Sequence, residues 1–477
     1  MLFNSYAFVF LFFPLCILGF YICKAICRKN QKCRAVKLFL IVISLWFYSF
    51  ASWVNLPILL GSMTVNYGIY CLMEQREKKK LLLAVGLAAN LLTLFYFKYT
   101  GSSFVPLGIS FFTFSQIAFL MECYRGNIKR FSLWDYGVYI TFFPKLIEGP
   151  IALPHEIQEQ IDKVCKKSFN WEEFYRGMCL FILGLAKKVL LADTLGKAVD
   201  YGYTNLSSLN SGDALIVMLS YTLQIYFDFS GYCDMAMGIG GMLSFSLPLN
   251  FDAPYKAGSI VEFWKRWHMT LTRFFTRYLY IPLGGSRKGK IRTYRNMLIV
   301  FLVSGIWHGA GWQFLIWGMM HGILYVITKW WMDRRNVQEK KKTGIRNAFC
   351  VAATFLYVNA AWVFFRAPSV KEAVMLFKTI VSCRFARINW NLAGCFQLDE
   401  FWYVIKVLHI DKWQYAHYIL MVLMLLVSLL IVFLAKTAVN VAAGLRPLLL
   451  NVVLFAVLFV WCVVTFSEVS SFIYFNF

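Results

Sequence analysis

The sequence predicts an all-α protein that crosses a bilayer about ten to twelve times, on three observations. Of the 477 residues, 60% are hydrophobic and only 15% are charged, whereas a soluble domain carries about 25% charged residues. Apolar runs of roughly 17 to 25 residues, long enough to cross a membrane, recur along the chain. Between them lie short basic clusters: "CRKNQKCRAVK" (27–37), "REKKK" (76–80), "RGNIKR" (125–130), "SRKGKIRTYR" (286–295) and "DRRNVQEKKK" (333–342).

Those clusters account for much of the formal charge of +24. Their alternation with apolar runs is the positive-inside pattern, with contact to anionic lipid headgroups as its simplest meaning. It sets a nucleic-acid partner aside. The first apolar run has no basic residue before Lys24, so it reads as a retained span rather than a cleaved signal. Candidate spans 5–23, 38–55, 57–73, 81–98 and 104–121 follow. With 24–37 inside, the N-terminus is external and the next two clusters also fall inside.

From 134 to 260 the pattern is mixed. "GVYITFFPKLIEGPI" (137–151) is apolar yet carries Pro144, Lys145, Glu148, Gly149 and Pro150. Backbone broken at membrane depth is tolerated only where protein or water satisfies it, so a broken or re-entrant element is expected. Residues 174–192 and 213–232 read as spans, and the Gly-rich 233–251 as tightly packed or irregular. In 260–280, Trp264, Trp267, His268, Leu271 and Phe275 share one helical face, which predicts an amphipathic helix at the inner interface. Glu262 and Arg266 make an i,i+4 pair on another face. Spans near 296–308, 312–332, 347–365, 416–435 and 448–466 complete the set, and 366–415 is the longest polar segment, expected outside. The chain 1–477 thus reads as one membrane domain: N-terminal spans (1–130), a core (134–332), an external loop (366–415) and an aromatic tail (467–477), also placed outside.

The thirteen cysteines form no C-x-x-C pair and no Cys/His metal spacing, so no metal site is expected. Cys383 and Cys395 fall in the external loop, where a disulfide is permitted.

The chemistry lies in "VSGIWHGAGWQFLIWGMMHGIL" (303–324), which places His308 and His321 in a segment with no charge between Arg295 and Lys329. A titratable group at membrane depth is a functional candidate by default, and neutral imidazole is a general base near neutral pH. The plain alternative for a lone histidine is a helix–helix hydrogen bond. Gly305, Gly309 and Gly311 bracket His308 and permit a break or close approach. No Asp or Glu lies between Glu262 and Asp333, so a local Ser-His-Asp relay is unavailable and a base acting directly on a hydroxyl suits the pattern better. Thirteen residues of unbroken helix would turn His321 about 220° from His308. His321 is therefore read as structural or pocket-lining, and Gly318-xxx-Gly322 as a packing face. Asp228 and Asp234 read as a buried hydrogen-bonded pair or cap, with a proton relay as the alternative.

These residues resemble the membrane-bound O-acyltransferase family, in its alginate O-acetyltransferase-like branch. The resemblance runs nearly end to end, through "PLGISFFTFSQIAFLMECYRG" (106–126), "FFPKLIEGPI" (142–151), the block 226–289, "SGIWHGAGWQFLIWGMMHG" and the terminal "FIYFNF". It implies a multi-helix membrane enzyme around a central tunnel. His308 of "IWHGA" is implied as the essential histidine and His268 of "RWH" as the second signature position. Gly241 stands where the branch leads one to expect Arg. The donor implied is a cytoplasmic thioester, acetyl-CoA, with no bound cofactor. Arg287, Lys288, Lys290 and Arg292 are candidates for its phosphates, although inside-positive topology explains them equally. Trp307, Trp312 and Trp317 are candidate channel-lining residues.

The function implied is O-acetylation of an extracytoplasmic polysaccharide from a bacterial plasma membrane, with an external SGNH-type acetyltransferase as partner. By analogy with a partner peptide of the D-alanyl-transferring relatives, Tyr474 would carry the acyl group, with interfacial anchoring as the alternative. The rival readings are a D-alanyl transferase for teichoic acids and a proton-coupled transporter.

Overall fold

A computed structural model describes residues 1–30, 33–50, 52–75, 78–100, 104–128, 130–335, 344–410, 413, 415–468 and 472–473. All regular structure among them is helical. The first five helices are α1 (Phe13–Asn30), α2 (Arg34–Ser49), α3 (Asn55–Gln75), α4 (Lys79–Tyr99) and α5 (Ile109–Tyr124). Among the described residues, six helical stretches are long and apolar enough to cross a membrane: Ala7–Cys27, Asn55–Gln75, Lys79–Tyr99, Ser211–Met242, Ile345–Arg366 and Ala416–Phe433. Ile109–Tyr124 and Leu449–Val464 are apolar but shorter. The larger expected number of crossings counted runs that fold as shorter or less apolar helices.

The element expected to be broken is broken. α6 (Leu133–Thr141) stops at Phe142, and α7 (Phe143–Leu146) is a single turn begun with Pro144 in its first positions. A Cβ on Gly149 would lie 2.3 Å from Cα of Lys145, so this turn closes only around glycine. α8 (Pro154–Val164) then runs along the surface with Ile157 and Ile161 buried.

The centre is α9 (Trp171–Ala186), a π-helical turn at Lys187–Ala192, α10 (Asp193–Thr204) and α11 (Ser211–Met242). A Cβ on Gly177 would meet the Gly238 carbonyl oxygen at 2.8 Å, and one on Gly184 would meet that of Gly231 at 2.6 Å. Both pairs are reciprocal, so α9 and α11 run antiparallel in backbone contact. The Gly-rich segment therefore packs tightly up to Met242 and becomes irregular only beyond it. Lys187 pairs with Asp234 at 2.6 Å, and Lys188 pairs with Asp228 and Asp193 at 2.8 Å each. Asp228 and Asp234 are thus held by lysines of the facing helix rather than by each other.

One expectation fails at 260–280. The segment is two short helices, α12 (Ile260–Arg266) and α13 (Met269–Phe275), the second continued by a π-helical turn over Thr276–Tyr280, with His268 between the two helices at φ 43°. The apolar face continues across the break, which is why the periodicity suggested one helix. The break is fixed from elsewhere: Met269 N–H donates to the Asn250 carbonyl, and Asp252 N–H to that of Arg266. The Glu262–Arg266 pair forms as expected, at 2.6 Å.

α14 (Lys290–His308) and α15 (Trp312–Arg334) are an antiparallel pair separated by Gly309–Gly311, and α16 (Ile345–Arg366) packs beside α15. A Cβ on Gly318 would meet the Phe301 carbonyl at 2.6 Å, and one on Gly305 would meet that of Phe314 at 2.5 Å. The described part of 366–415 holds α17 (Val370–Val381), α18 (Trp390–Gly394) and α19 (Asp399–Val407). Cys383 and Cys395 are both free thiols. α20 (Ala416–Phe433), α21 (Ala438–Gly444) and α22 (Leu449–Val464) close the fold.

Two described residues of the tail, Phe472 and Ile473, pack against the core. Phe472 is fully buried, its ring edge-on to Tyr232 with the Lys188 ammonium 4.5 Å above it. Ile473 N–H donates to Asp228 Oδ2 at 3.0 Å. Tyr474 lies outside the described residues.

Gly231→Leu is expected to force α9 from α11 and to strain the lysine–aspartate pairs beside the contact, destabilising by about 1–3 kcal/mol or more. A lowered thermal midpoint of the purified protein in detergent checks it.

Candidate active site

His308 is the last residue of α14, where the helix gives way to Gly309. Its ring is 3% exposed and lies within 4.4 Å of Trp307, 4.8 Å of Phe365 and 5.1 Å of Trp317, centroid to centroid. It faces a narrow cavity of about 20 Å³, lined also by Lys98, Ser110, Ile147, Glu148 and Trp307. That volume admits about one water molecule. The ring is thus turned into protein, not hydrocarbon.

His268 reaches the same region from the α12–α13 break, close enough to interact electrostatically with His308. It is 1% exposed and stands edge-on to Phe229, at 4.7 Å. Its Nδ1 is 3.2 Å from Asn250 Oδ1. That oxygen also accepts from Thr270 N–H at 3.2 Å and from Thr270 Oγ1 at 3.0 Å. A backbone N–H can only donate, so the acceptor end of Asn250 is identified and His268 must carry its proton on Nδ1. The lone pair is then on Nε2, which has no hydrogen-bond partner among the described residues. The sequence offered no hint of Asn250 as the residue that sets this tautomer.

Of the remaining candidates, Trp317 is 1% exposed and stands between the imidazoles, 5.1 Å from His308 and 5.0 Å from His321. His321 is fully buried in an aromatic cage with Trp264 at 5.1 Å and Tyr357 at 6.0 Å. The helix break does not bring His321 to the cavity of His308; Trp317 separates them. Trp307 lines that cavity, whereas Trp312, 74% exposed at the start of α15, faces outward. The outward turn follows from its place as the first residue after the glycine break. Arg287, Lys288, Lys290 and Arg292 are all exposed. The structure gathers other cations round a cavity: Lys163, Lys167 and Arg176 line one of about 540 Å³ together with Gly241. A Cβ at Gly241 would meet only Gly177 Cα, at 3.6 Å, so this position has room for a side chain and leaves the space open without one.

Two polar residues beside His308 escaped the sequence reading of the site. Lys98, near the end of α4, donates to the Trp307 carbonyl at 2.5 Å and lies 5.1 Å from its ring. Glu148 lines the same cavity from the loop after α7. Lys98 closes a predicted span and reads as an ordinary interfacial cation, and only the fold brings it to His308.

Residues 14–366 match the model of the MBOAT, membrane-bound O-acyltransferase family. The chain is 38% identical over 426 residues to a peptidoglycan O-acetyltransferase of Helicobacter pylori, covering 80% of each. It is 35% identical over 410 residues to "Probable alginate O-acetylase AlgI" of Pseudomonas putida, again covering 80% of each. A teichoic acid D-alanyltransferase of Streptococcus thermophilus is more distant, 27% identical over 259 residues, 50% of this chain and 61% of that one. The chain belongs to the membrane-bound O-acyltransferase family, and is a multi-pass membrane O-acyltransferase.

Proposed function

We propose that the protein moves an acetyl group from a cytoplasmic thioester, acetyl-CoA, across the bacterial plasma membrane for O-acetylation of an extracytoplasmic polysaccharide. The observation that carries this is the position of His308, sealed from lipid yet lining a cavity, with a second imidazole in electrostatic reach. His308 takes the proton of the acceptor hydroxyl as its oxygen bonds to the thioester carbonyl carbon. The carbon–sulfur bond breaks, and the imidazolium returns the proton to the leaving thiolate. His268, locked by Asn250, orients the reacting groups. Arg287, Lys288, Lys290 and Arg292 meet the phosphates of the donor as exposed point charges.

Polysaccharide acetylation is favoured over D-alanylation because the acetylating relatives match four-fifths of the chain and the D-alanyl relative half of it. Tyr474 receives the acetyl group and hands it to an external SGNH-type acetyltransferase. In support, the adjoining Phe472 and Ile473 are drawn into the protein interior at Lys188 and Asp228.

Acetate released from purified cell-surface polymer measures the activity. His308→Ala is expected to abolish it, and unchanged acetate would end this reading. Tyr474→Phe tests the carrier separately: loss supports it, and retained acetylation removes the tyrosine from the pathway. Asn250→Ala frees the His268 ring and is expected to slow transfer about 5- to 150-fold, the effect of about 1–3 kcal/mol for a buried hydrogen-bond group left unpaired. Rates normalised to membrane abundance read it.

A further inference from the structure

Within its own stretch of sequence His308 has no acid, but the fold brings one. Glu148 is 1% exposed, and neither carboxylate oxygen has a hydrogen-bond partner among the described residues. An unpartnered buried carboxylate is costly and calls for a reason. The chain holds it there firmly. The turn at Gly149 is too tight for any side chain. Ile151 N–H donates to Thr270 Oγ1 at 3.1 Å, and that hydroxyl donates to Asn250 Oδ1. Arg273 Nη2 donates to the Ile151 carbonyl at 2.9 Å, and Tyr139 Oη to that of Ala152 at 3.2 Å. The loop carrying Glu148 is thereby tied to the same asparagine that locks His268.

We propose that Glu148 is the acidic partner of His308, holding a negative charge across the shared cavity while His308 carries the proton of the acceptor hydroxyl. The inference rests on His308 being the base. The need is electrostatic. Among the described residues, Lys98 from α4 and Glu148 line the cavity of His308 and His268 from the α12–α13 break is in electrostatic reach, while α15 and α16 present Trp317 and Phe365 to its ring. An imidazolium forming beside the Lys98 ammonium, with little water to screen it, is opposed by like charge. A carboxylate on the same cavity offsets that repulsion. Glu148 is also within electrostatic reach of Lys188, which favours its charged form, while burial and the Asp228 carboxylate oppose it; the imidazolium forming on His308 adds to the side of Lys188. Glu148 neither gains nor loses an atom in the cycle: the proton passes from hydroxyl to His308 to thiolate. It acts through His308 and is a positioning residue.

The test compares Glu148→Gln, Glu148→Asp and His308→Ala in membranes of cells making the full-length chain. Transfer of label from acetyl-CoA is followed against pH, and thermal midpoints are taken on the purified proteins. Without the anion the imidazolium is harder to form. Glu148→Gln should therefore lower the plateau rate about tenfold or more and move the acid limb of the profile to lower pH, with the midpoint unchanged or raised. Glu148→Asp keeps the charge and should restore the position of the limb. A Gln variant with the wild-type rate and limb, beside an inactive His308→Ala, overturns the role of Glu148 and leaves the function standing. Lost activity with a lowered midpoint and an unmoved limb means a structural role and also overturns it. An active His308→Ala overturns both readings.

Discussion

Charge taken into an apolar helix bundle must meet its opposite there, and here that condition is met by two consecutive lysines. Lys187 and Lys188 lie on a π-helical turn between α9 and α10, and the widened turn lets both reach α11. π-turns of this kind recur at functional sites because they redirect side chains that a regular helix would point elsewhere. The pairing works only because four glycines bring α9 and α11 into backbone contact. It also leaves Asp228 one oxygen to spare, and that oxygen accepts the Ile473 N–H. One ion-paired seam therefore joins the central helices and holds Phe472 and Ile473 against them.

Much of the fold was legible in the sequence because it obeys one-dimensional rules. Span positions follow from run length, the break at 142–149 from Pro144 and Gly149, and the packing of α14 on α15 from Gly318-xxx-Gly322. What was hidden depends on residues far apart in the chain. The 260–280 segment keeps its apolar periodicity straight through a break imposed by Asn250, which periodicity cannot register. Asp228 and Asp234 were recognised as buried, but their lysines lie some forty positions away, on a helix whose end looks like any basic span terminus. Aromatic richness marked the neighbourhood of the site without distinguishing Trp317, wedged between two imidazoles, from Trp312, turned outward.

The three membrane histidines show how a single residue type is given different work by its surroundings. His321 is ringed by aromatic side chains, and neither of its nitrogens has a hydrogen-bond partner among the described residues, so it fills space in a cage. His268 has one nitrogen fixed and the other unoccupied, the condition for holding a defined tautomer. His308 alone combines a cavity, a helix terminus and charged neighbours. The glycines after it end α14, so its ring is presented at the end of the helix rather than on a packed flank.

That placement has an electrostatic consequence for any reaction at His308. A base must become a cation, and a cation here is born next to Lys98, in a space holding about one water molecule. Solvent cannot relax around it, so the fixed groups of the wall decide whether the step is accessible. Those groups come from α4, the loop after α7 and the α12–α13 break, elements far apart in the chain. The close packing that fixes them is the same packing that excludes lipid. The rigidity of the glycine-seamed core and the reactivity of one imidazole are therefore two results of one requirement: polar groups in a membrane must be satisfied by protein alone.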